Sequence, residues 1–226
     1  MPRSDIKLIR GDCMEYMAQM PDNAYDLAIC DPPYFDGPGG PGYYGKGDSN
    51  LGVKRAKFYN KCDHWDIPDE HYFKELKRVS KNQIIWGANH FAGLFDSSSP
   101  SWIVWDKDNG QRSFADAEVA YTSFSTAVRI YKYMWNGMHQ GSLGGNKKLN
   151  ETRIHPTQKP VALYKWLLQN YAKGGDKILD THLGSGSIAI ACWDLKYDLT
   201  GYELDKDYYN ASCKRFDNHC KQGQLF

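Results

Sequence analysis

The sequence predicts an α/β fold built on a parallel sheet, and two observations carry this prediction. Leu27–Cys30 is a short, fully apolar run, which is typical of a strand buried on both faces of a parallel sheet. The last third of the chain alternates a strand at Lys177–Leu179, a helix at Ile188–Leu195 and a strand at Leu199–Tyr202. This alternation indicates a βαβ unit, whose two strands lie parallel.

The first half of the chain adds helices and strands in order. Apolar residues recur on one face in two segments, which predicts helices that rest on a core. These segments are Cys13–Met20 and Glu70–Val79. Short apolar runs between turn residues predict strands at Lys7–Arg10, Gln83–Trp86, Trp102–Trp105, Val119–Thr122 and Arg129–Met134.

The second half begins with a long irregular stretch and then becomes regular. Val161–Tyr171 is predicted as a helix, because Pro160 suits the first helical turn. A glycine-containing turn at Leu183–Ser187 separates the strand and helix of the βαβ unit. A final helix is predicted over Lys206–His219.

Composition bounds the class of protein. A chain of 226 residues, 41% hydrophobic and 24% charged, fits one globular domain over residues 1–226. The net charge of +1 gives no global basic field, so a nucleic-acid partner would need local patches. We find no signal peptide and no apolar run that could span a bilayer, which predicts a cytoplasmic protein without a membrane partner.

The six cysteines form no CxxC pair, so reduced thiols are expected. Cys62 and His64 are close enough to suggest a metal. No second ligand pair follows them, however, and we predict no metal site.

The strand at Leu27–Cys30 ends in Asp31, Pro32, Pro33 and Tyr34. Two prolines stop both strand pairing and helix formation, so this turn is stiff. Open α/β sheets bind ligands at the carboxyl ends of their strands. A carboxylate, a fixed carbonyl and a flat ring suit a planar group that carries an NH2, although an ordinary strand-ending turn would look the same.

The βαβ unit of the last third has the features of a nucleoside site. Glycines let backbone amides approach a ligand, and Glu203 closes the second strand, where an acid can bind ribose hydroxyls. Asp180 stands at the start of the turn, where it would repel phosphate and favour a cationic cofactor. This combination points to S-adenosylmethionine, while a plain βαβ turn without a ligand stays open.

Two loops combine glycines with basic residues, and the first of them also carries aromatic residues. They lie at about residues 36–64 and 136–154, and we predict that both face DNA. Solvated charges on a loop are the alternative. The candidate DNA-binding residues are Tyr43, Tyr44, Lys46, Lys54, Arg55, Lys57, Lys61, Lys147, Lys148 and Arg153.

Four motifs together resemble those of the amino-methylating DNA methyltransferases. The turn at Asp31 comes first and the turn at Asp180 comes late, which is the order of the permuted β class. The resemblance covers nearly the whole chain and implies a Rossmann-like, S-adenosylmethionine-dependent methyltransferase fold. Its sheet would be twisted, mostly parallel and seven-stranded, with one antiparallel strand and helices on both faces. The motifs are Asp31-Pro-Pro-Tyr34, His155-Pro-Thr-Gln-Lys-Pro160, Asp180-Thr-His-Leu-Gly-Ser-Gly-Ser187 and Gly201-Tyr-Glu-Leu-Asp205.

The resemblance also implies roles for individual residues. Asp31, Pro32, Pro33 and Tyr34 become the catalytic turn that handles the base. The cofactor-binding residues become Asp12, Cys13, His155, Thr157, Lys159, Asp180, Thr181, His182, Gly184, Ser185, Gly186, Ser187 and Glu203. Among these, Asp12 would lie near the adenine, Glu203 would bind the ribose, and His155, Thr157 and Lys159 would close over the amino-acid end.

The sequence departs from the family pattern in two places. Thr181-His182 stands where the family usually has Pro-Phe, and Ser187 stands where Thr is usual. Ser187 keeps the hydroxyl, but His182 replaces an apolar wall with a polar one. This change puts the contact of His182 with the cofactor in doubt.

The resemblance implies methyl transfer to the N6 amino group of adenine in duplex DNA, with the target base extruded. Asp31 and the carbonyl of Pro32 would accept the two amino hydrogens, and Tyr34 would stack on the base. Cytosine-N4 methylation is the alternative within this chemistry, and methylation of RNA or of a protein amide is more distant. A nucleic-acid-binding module without turnover is the rival of another class. A restriction–modification partner, an orphan or phage origin, and a homodimer all stay open.

Overall fold

The computed structural model describes residues 4–35, 65–96, 98–110, 115–136, 139–141 and 150–223. Its elements alternate along the chain as the sequence predicts. The helices are α1 (Cys13–Met17), α2 (Glu70–Val79), α3 (Val161–Tyr171), α4 (Ser187–Leu195) and α5 (Lys206–Gly223). The strands are β1 (Ile6–Arg10), β2 (Tyr25–Cys30), β3 (Ser80–Trp86), β4 (Trp102–Asp106), β5 (Ala117–Thr122), β6 (Arg129–Lys132), β7 (Met134–Asn136), β8 (His139–Gly141), β9 (Lys177–Asp180) and β10 (Asp198–Glu203).

One large sheet organises the described residues. It has eight strands in the order β1-β10-β9-β2-β3-β5-β4-β6. Within these residues, β5 pairs antiparallel with both β3 and β4, and the other pairings of this sheet are parallel. The prediction of a mostly parallel sheet with one antiparallel strand is therefore confirmed.

The predicted count of seven strands is wrong, because β6 adds an eighth strand at the edge beside β4. The sequence prediction also ran one strand through Arg129–Met134. The chain instead breaks after Lys132, and Met134–Asn136 pairs with β8 in a separate two-stranded sheet. The amide of Tyr133, at the break, donates to the carbonyl of Asp106 at 2.9 Å.

Apolar side chains are buried on both faces of the sheet. Leu27–Cys30 is fully buried, as predicted for a central strand. One cluster joins Leu27 and Ile29 to α3 and α4, and the other joins Ala28 and Cys30 to α1 and α2. Because side chains of a strand alternate between faces, this division shows that helices cover both sides of β2.

The middle of the sheet is where the chain changes direction of winding. β2 and β9 are parallel neighbours, with Leu27 opposite Ile178 and Ala28 opposite Leu179. From there β3 lies on one side and β10 on the other. Ligands bind in the crevice at such a switch point, so this topology brings the turns after β2 and β9 to one place.

Three further predictions concern absent features or thiols. Cys13, Cys30, Cys192, Cys213 and Cys220 are free cysteines. In the ranges given above, no helix is long and apolar enough to cross a membrane, and no group of His, Cys, Asp and Glu side chains could hold a metal ion. Cys62 and His64 lie outside the described residues.

Candidate active site

A cavity of about 1180 Å³ opens at the carboxyl edge of the sheet, at the switch point between β2 and β9. Asp31–Phe35 lines one side of it, and Thr181–Ser185 with Glu203 lines another. Gly11–Met14, Arg153 and His155–Lys159 also contribute to the wall. The four motifs, although distant in sequence, therefore converge on one space.

The carboxylate of Asp31 is held by a lysine. Nζ of Lys159 lies 2.5 Å from Oδ2 of Asp31 and 3.0 Å from Oε2 of Glu118. Glu118 also forms an ion pair with Lys107. The Lys159 side chain is 3% exposed. Its charge therefore lies in a low-dielectric setting, where its attraction to these two carboxylates is stronger than in water.

Burial and charge act in opposite directions on these groups. Burial raises the pKa of Asp31 above its ordinary value, and Lys159 opposes that rise. Burial likewise acts to raise the pKa of Glu118, but Lys159 and Lys107 outweigh it and hold that pKa at about 2. Although burial alone would lower the pKa of Lys159, Asp31 and Glu118 raise it, so the lysine stays charged.

Tyr34 is fixed from behind by two groups that sequence reasoning did not identify. The ring of His90 stacks on the ring of Tyr34, with 4.3 Å between centroids and 2° between planes. Gly87 adopts a positive φ of +66°, and a Cβ there would lie 2.6 Å from the Tyr34 ring. A larger residue at Gly87 would thus displace the ring that was predicted to stack on a base.

The turn after β9 is built from glycines and closed by Glu203. Gly184 and Gly186 have φ values of +52° and +69°, which favour glycine. The amide of Gly184 donates to Oε2 of Glu203 at 2.7 Å, and the amide of Asp205 donates to Oε1 at 2.9 Å. Burial raises the pKa of Glu203 to about 7 despite these two hydrogen bonds.

Asp180 lies beneath this turn. It is 1% exposed, and its Oδ1 accepts a hydrogen bond from the amide of His182 at 3.0 Å. Burial raises the pKa of Asp180 to about 8, so much of it is protonated at neutral pH. Asp180, Gly186 and Ser187 do not line the cavity, although all three were predicted to bind cofactor.

Ser187 faces away from the cavity for a structural reason. Its hydroxyl donates to the carbonyl of Lys159 at 2.7 Å and accepts a hydrogen bond from Arg215 at 2.9 Å. Arg215 also contacts Glu151 at 2.6 Å. The hydroxyl therefore joins the start of α4 to the segment before α3, and this bonding explains why Ser can stand in for Thr.

Thr181 and His182, the first departure from the family pattern, form a polar wall. Oγ1 of Thr181 lies 2.7 Å from the hydroxyl of Tyr72 and 2.9 Å from Nδ1 of His182. Burial lowers the pKa of His182 to about 4, so its ring is neutral. Both residues line the cavity, and their contact with a cofactor stays a prediction.

His155 and Thr157 lie together across the cavity. Nδ1 of His155 accepts from the Thr157 amide at 3.4 Å and lies 3.1 Å from the Thr157 hydroxyl. The His155 ring stacks on Trp65, with centroids 5.7 Å apart, and contacts the Tyr208 ring edge-on. Burial lowers the pKa of His155 to about 3, so it presents a neutral aromatic wall next to Gly184.

Asp12 and Cys13 form the far end of the cavity. Oδ1 of Asp12 accepts from the amide of Met14 at 2.8 Å, which caps α1. The Cys13 thiol is buried, and burial raises its pKa to about 12. The thiol is therefore neutral and contributes an apolar surface.

The predicted DNA-binding residues are mostly beyond what the structure describes. Tyr43, Tyr44, Lys46, Lys54, Arg55, Lys57, Lys61, Lys147 and Lys148 lie outside the described residues, with all of 36–64 and most of 137–149. Arg153 is described and lines the cavity. Its guanidinium lies over the Trp135 ring at 5.6 Å and donates to the carbonyl of Pro156 at 3.2 Å.

Sequence reasoning missed several residues of the site. Glu118 and Lys107 carried no local signal, because they reach Asp31 only through the pairing of β5 with β4. His90 and Trp65 could have been suspected, since each is an aromatic residue at the end of a predicted element or loop. Tyr164 and Tyr208 also line the cavity, from α3 and α5.

Comparison with solved structures defines the class of fold. The structure of the M1.HpyAVI–SAM complex matches with a TM-score of 0.57 at 20% identity, covering 93% of this chain and 99% of that one. The cytosine-N4-specific PvuII DNA methyltransferase matches with a TM-score of 0.59 at 14% identity, covering 95% of this chain and 87% of that one. The chain therefore has a Rossmann-like methyltransferase fold.

Comparison of sequences is more specific. A family model described as "DNA methylase", for N6 and N4 methyltransferases, matches residues 124–214. The type II methyltransferase M.HpaI of Haemophilus parainfluenzae is 25% identical, with 95% of this chain and 75% of the relative covered. M.HinfI of Haemophilus influenzae is 24% identical, with 92% and 67% covered. These matches agree with the resemblance of the motifs to the amino-methyltransferases, while the permuted motif order stays a prediction.

Proposed function

We propose that this protein transfers a methyl group from S-adenosylmethionine to the N6 amino group of adenine in DNA. One observation carries the proposal: the turn at Asp31 and the turn closed by Glu203 line the same cavity. The first offers acceptors and a ring to a base, and the second offers acids and backbone amides to a nucleoside cofactor. Relatives named as type II methyltransferases support this reading.

The residues of the second turn fit the cofactor. Asp180 and Glu203 are acids whose pKa values burial has raised, and a cationic ligand would favour their charged forms. Glu203 would accept the ribose hydroxyls, and the neutral rings of His155 and His182 would line its surroundings. When bound, S-adenosylmethionine supplies an electrophilic methyl group on a sulfonium.

The residues of the first turn then activate the base. An exocyclic amino group is a poor nucleophile because its lone pair is delocalised into the ring. Asp31 and the carbonyl of Pro32 would each accept a hydrogen bond from the amino group, which turns the lone pair toward the methyl group. As the N–C bond forms, the S–C bond would break to leave a neutral thioether, and one proton would be lost from the amino group. Tyr34, backed by His90, would stack on the extruded base and hold it in line.

A direct assay tests this function. Duplex DNA is incubated with the protein and cofactor labelled in the methyl group, and the DNA is then digested to nucleosides for chromatography. We expect the label in N6-methyladenine, with about 10²–10³-fold less for Asp31→Ala. Label in N4-methylcytosine would favour the alternative base, consistent with the cytosine-N4-specific enzyme among similar folds. DNA binding without label would identify a module that lacks turnover.

Binding of DNA by a protein with a net charge of +1 would depend on local charge. We propose that the loops at about 36–64 and 136–154 of this single domain contact the phosphates. Neutralising Lys54, Arg55 and Lys57 should then flatten the slope of log affinity against log salt by about 2–3 units.

The matched control for this loop neutralises Lys173, Lys177 and Lys196 and should leave the slope nearly unchanged. Fluorescence anisotropy on one duplex compares the two triple variants. Equal slopes would remove the loop from DNA binding and leave its charges as solvated ones.

A further inference from the structure

Four charged side chains meet at the floor of the cavity, and each comes from a different part of the fold. Asp31 follows β2, Lys107 follows β4, Glu118 lies on β5, and Lys159 precedes α3. The chain of contacts runs from Asp31 to Lys159, from Lys159 to Glu118, and from Glu118 to Lys107. Two anions and two cations alternate, so the cluster is formally neutral.

The burial of this cluster is unusual for charged residues. The side chains of Asp31, Lys159, Glu118 and Lys107 are 16%, 3%, 22% and 18% exposed. Desolvating four ions is costly and is a weak source of stability, so such a cluster calls for another reason. A role at the adjacent site supplies that reason.

The geometry at Asp31 shows what the cluster does to this carboxylate. Lys159 engages Oδ2 at 2.5 Å, while Asp31 lines the cavity with its side chain 16% exposed. Lys159 itself is confined between Glu118 and the ring of Trp86, whose centroid lies 5.4 Å from Nζ. One carboxylate oxygen is thus fixed, which leaves the other to face a substrate.

We propose that Lys159 and Glu118 are positioning residues for methyl transfer: Lys159 fixes the carboxylate of Asp31 so that Oδ1 accepts from the substrate amino group, and Glu118 fixes Lys159. This inference rests on the proposed function, and it gives Lys159 a task at the base rather than at the amino-acid end of the cofactor. Lys107 completes the cluster by pairing with Glu118.

The charges around Asp31 allow a test that a purely structural role would fail. Besides Lys159, Glu118 and Lys107, the groups of the described residues that interact with the charge of Asp31 include Asp180 on β9 and Tyr164 on α3. Removing the cation Lys159 should raise the pKa of Asp31, because a stabilising charge is lost. Removing the anion Glu118 should lower it, because a repelling charge is lost.

The experiment compares Lys159→Gln and Glu118→Gln with the wild type in single-turnover methyl transfer from pH 4 to 9. The rate rises as Asp31 ionises, so the acid limb of the profile follows its pKa. We expect this limb to move up by about one pH unit for Lys159→Gln and down for Glu118→Gln. Loss of alignment should also lower the plateau by about 10–100-fold for Lys159→Gln, with partial rescue by Lys159→Arg.

A matched control removes an exposed lysine from a comparable ion pair. Lys81 lies 2.7 Å from Asp26 at the other end of the sheet, with its side chain 54% exposed. Lys81→Gln should leave the acid limb and the plateau unchanged. Thermal melting confirms that each variant is folded, and if Lys159→Gln does not fold, the shift of Glu118→Gln decides alone.

A second readout does not depend on turnover. Carboxyl ¹³C NMR of protein labelled at aspartate follows the titration of Asp31 directly, with Asp31→Asn for assignment. The same opposite shifts are expected there. Shifts in one direction, or none, in folded variants would overturn the proposal. If the two variants shifted the pKa of Asp31 in opposite directions but the wild type transferred no label to DNA, the effect of the cluster on Asp31 would stand. The proposed function would then be refuted.

Discussion

The two turns that line the cavity hold their acids in opposite ways. Asp31 is held by a charged lysine at 2.5 Å. Asp180 has the amide of His182 as its hydrogen-bond partner, and burial raises its pKa to about 8. The negative charge of Asp31 is balanced by a lysine of the protein, whereas the charge of Asp180 is neutralised by a proton. We infer that Asp31 serves as a ready acceptor and that Asp180 responds to a cation brought by a ligand.

This difference assigns the two halves of the reaction to two regions. The turn at Asp31 would act on the base in the transition state, and the turn between Asp180 and Glu203 would bind cofactor. An interaction made in the transition state affects the rate, whereas an interaction made with a ground-state ligand affects affinity. Variants of the two turns should therefore separate rate from affinity.

The largest expected effect is on the rate, at Asp31. Asp31→Ala should lower methyl transfer by about 10²–10³-fold, because an acceptor for the amino hydrogen is lost, and Asp31→Asn should also lower it, because a neutral amide oxygen accepts more weakly than a carboxylate. Cofactor affinity measured by calorimetry should stay nearly unchanged. Asp217→Asn, an exposed acid on α5, is the control. A variant at Asp31 that turns over within about tenfold of wild type would contradict the assignment.

The second effect is on affinity, at Glu203. Glu203→Ala should weaken cofactor binding by about 1–3 kcal/mol, because buried ribose hydroxyls would lose their acceptor. Equilibrium dialysis with labelled cofactor measures the loss. If cofactor affinity were unchanged while DNA binding fell, the cofactor site would have been assigned to the wrong turn.

A smaller effect is expected behind Tyr34. His90→Ala should lower the apparent affinity for DNA by about 0.5–1.5 kcal/mol, because the Tyr34 ring loses its stacking partner. His90→Phe keeps an aromatic face and should restore most of the loss. Steady-state kinetics with DNA as the varied substrate gives both values. Equal losses for the two variants would show that stacking is not what His90 contributes.

The smallest expected effect is the release of a proton when cofactor binds. Near pH 7.5 much of Asp180 is protonated, and a bound cation favours its carboxylate, so cofactor binding should release up to about one proton. The release should fall as pH rises above about 8, where Asp180 is already ionised. Calorimetry in two buffers of different ionisation enthalpy measures it. Asp180→Asn should remove most of the release and leave the smaller share of Glu203, and Asp217→Asn should keep the whole release, whereas proton uptake by the wild type would contradict this account.

The sequence predicted those parts of the site that are local in the chain. The turn at Asp31 and the glycines before α4 were found because each interrupts a strand within a few residues, and the two prolines leave few conformations. The helix Val161–Tyr171 was predicted with its observed bounds because Pro160 marks its start. Such elements are set by neighbouring residues and by the burial of one face.

Other parts could not be predicted because they depend on long-range packing. Glu118 reaches Lys159 only once β5 is placed between β3 and β4, and no spacing along the chain encodes that order. The edge strand β6 is mostly exposed and has little apolar pattern to separate it from β7. Asp180 was predicted in the right turn, but its place beneath the cavity depends on how that turn bends.

The division of labour between the two turns is tested most directly by single-turnover methyl transfer over a range of cofactor concentrations. Asp31→Asn and Glu203→Ala are compared with wild type on the same DNA. We predict that saturating cofactor restores the rate of Glu203→Ala to nearly that of wild type, and that no concentration restores Asp31→Asn. Recovery of Asp31→Asn at high cofactor, or a persistently slow Glu203→Ala, would contradict this account.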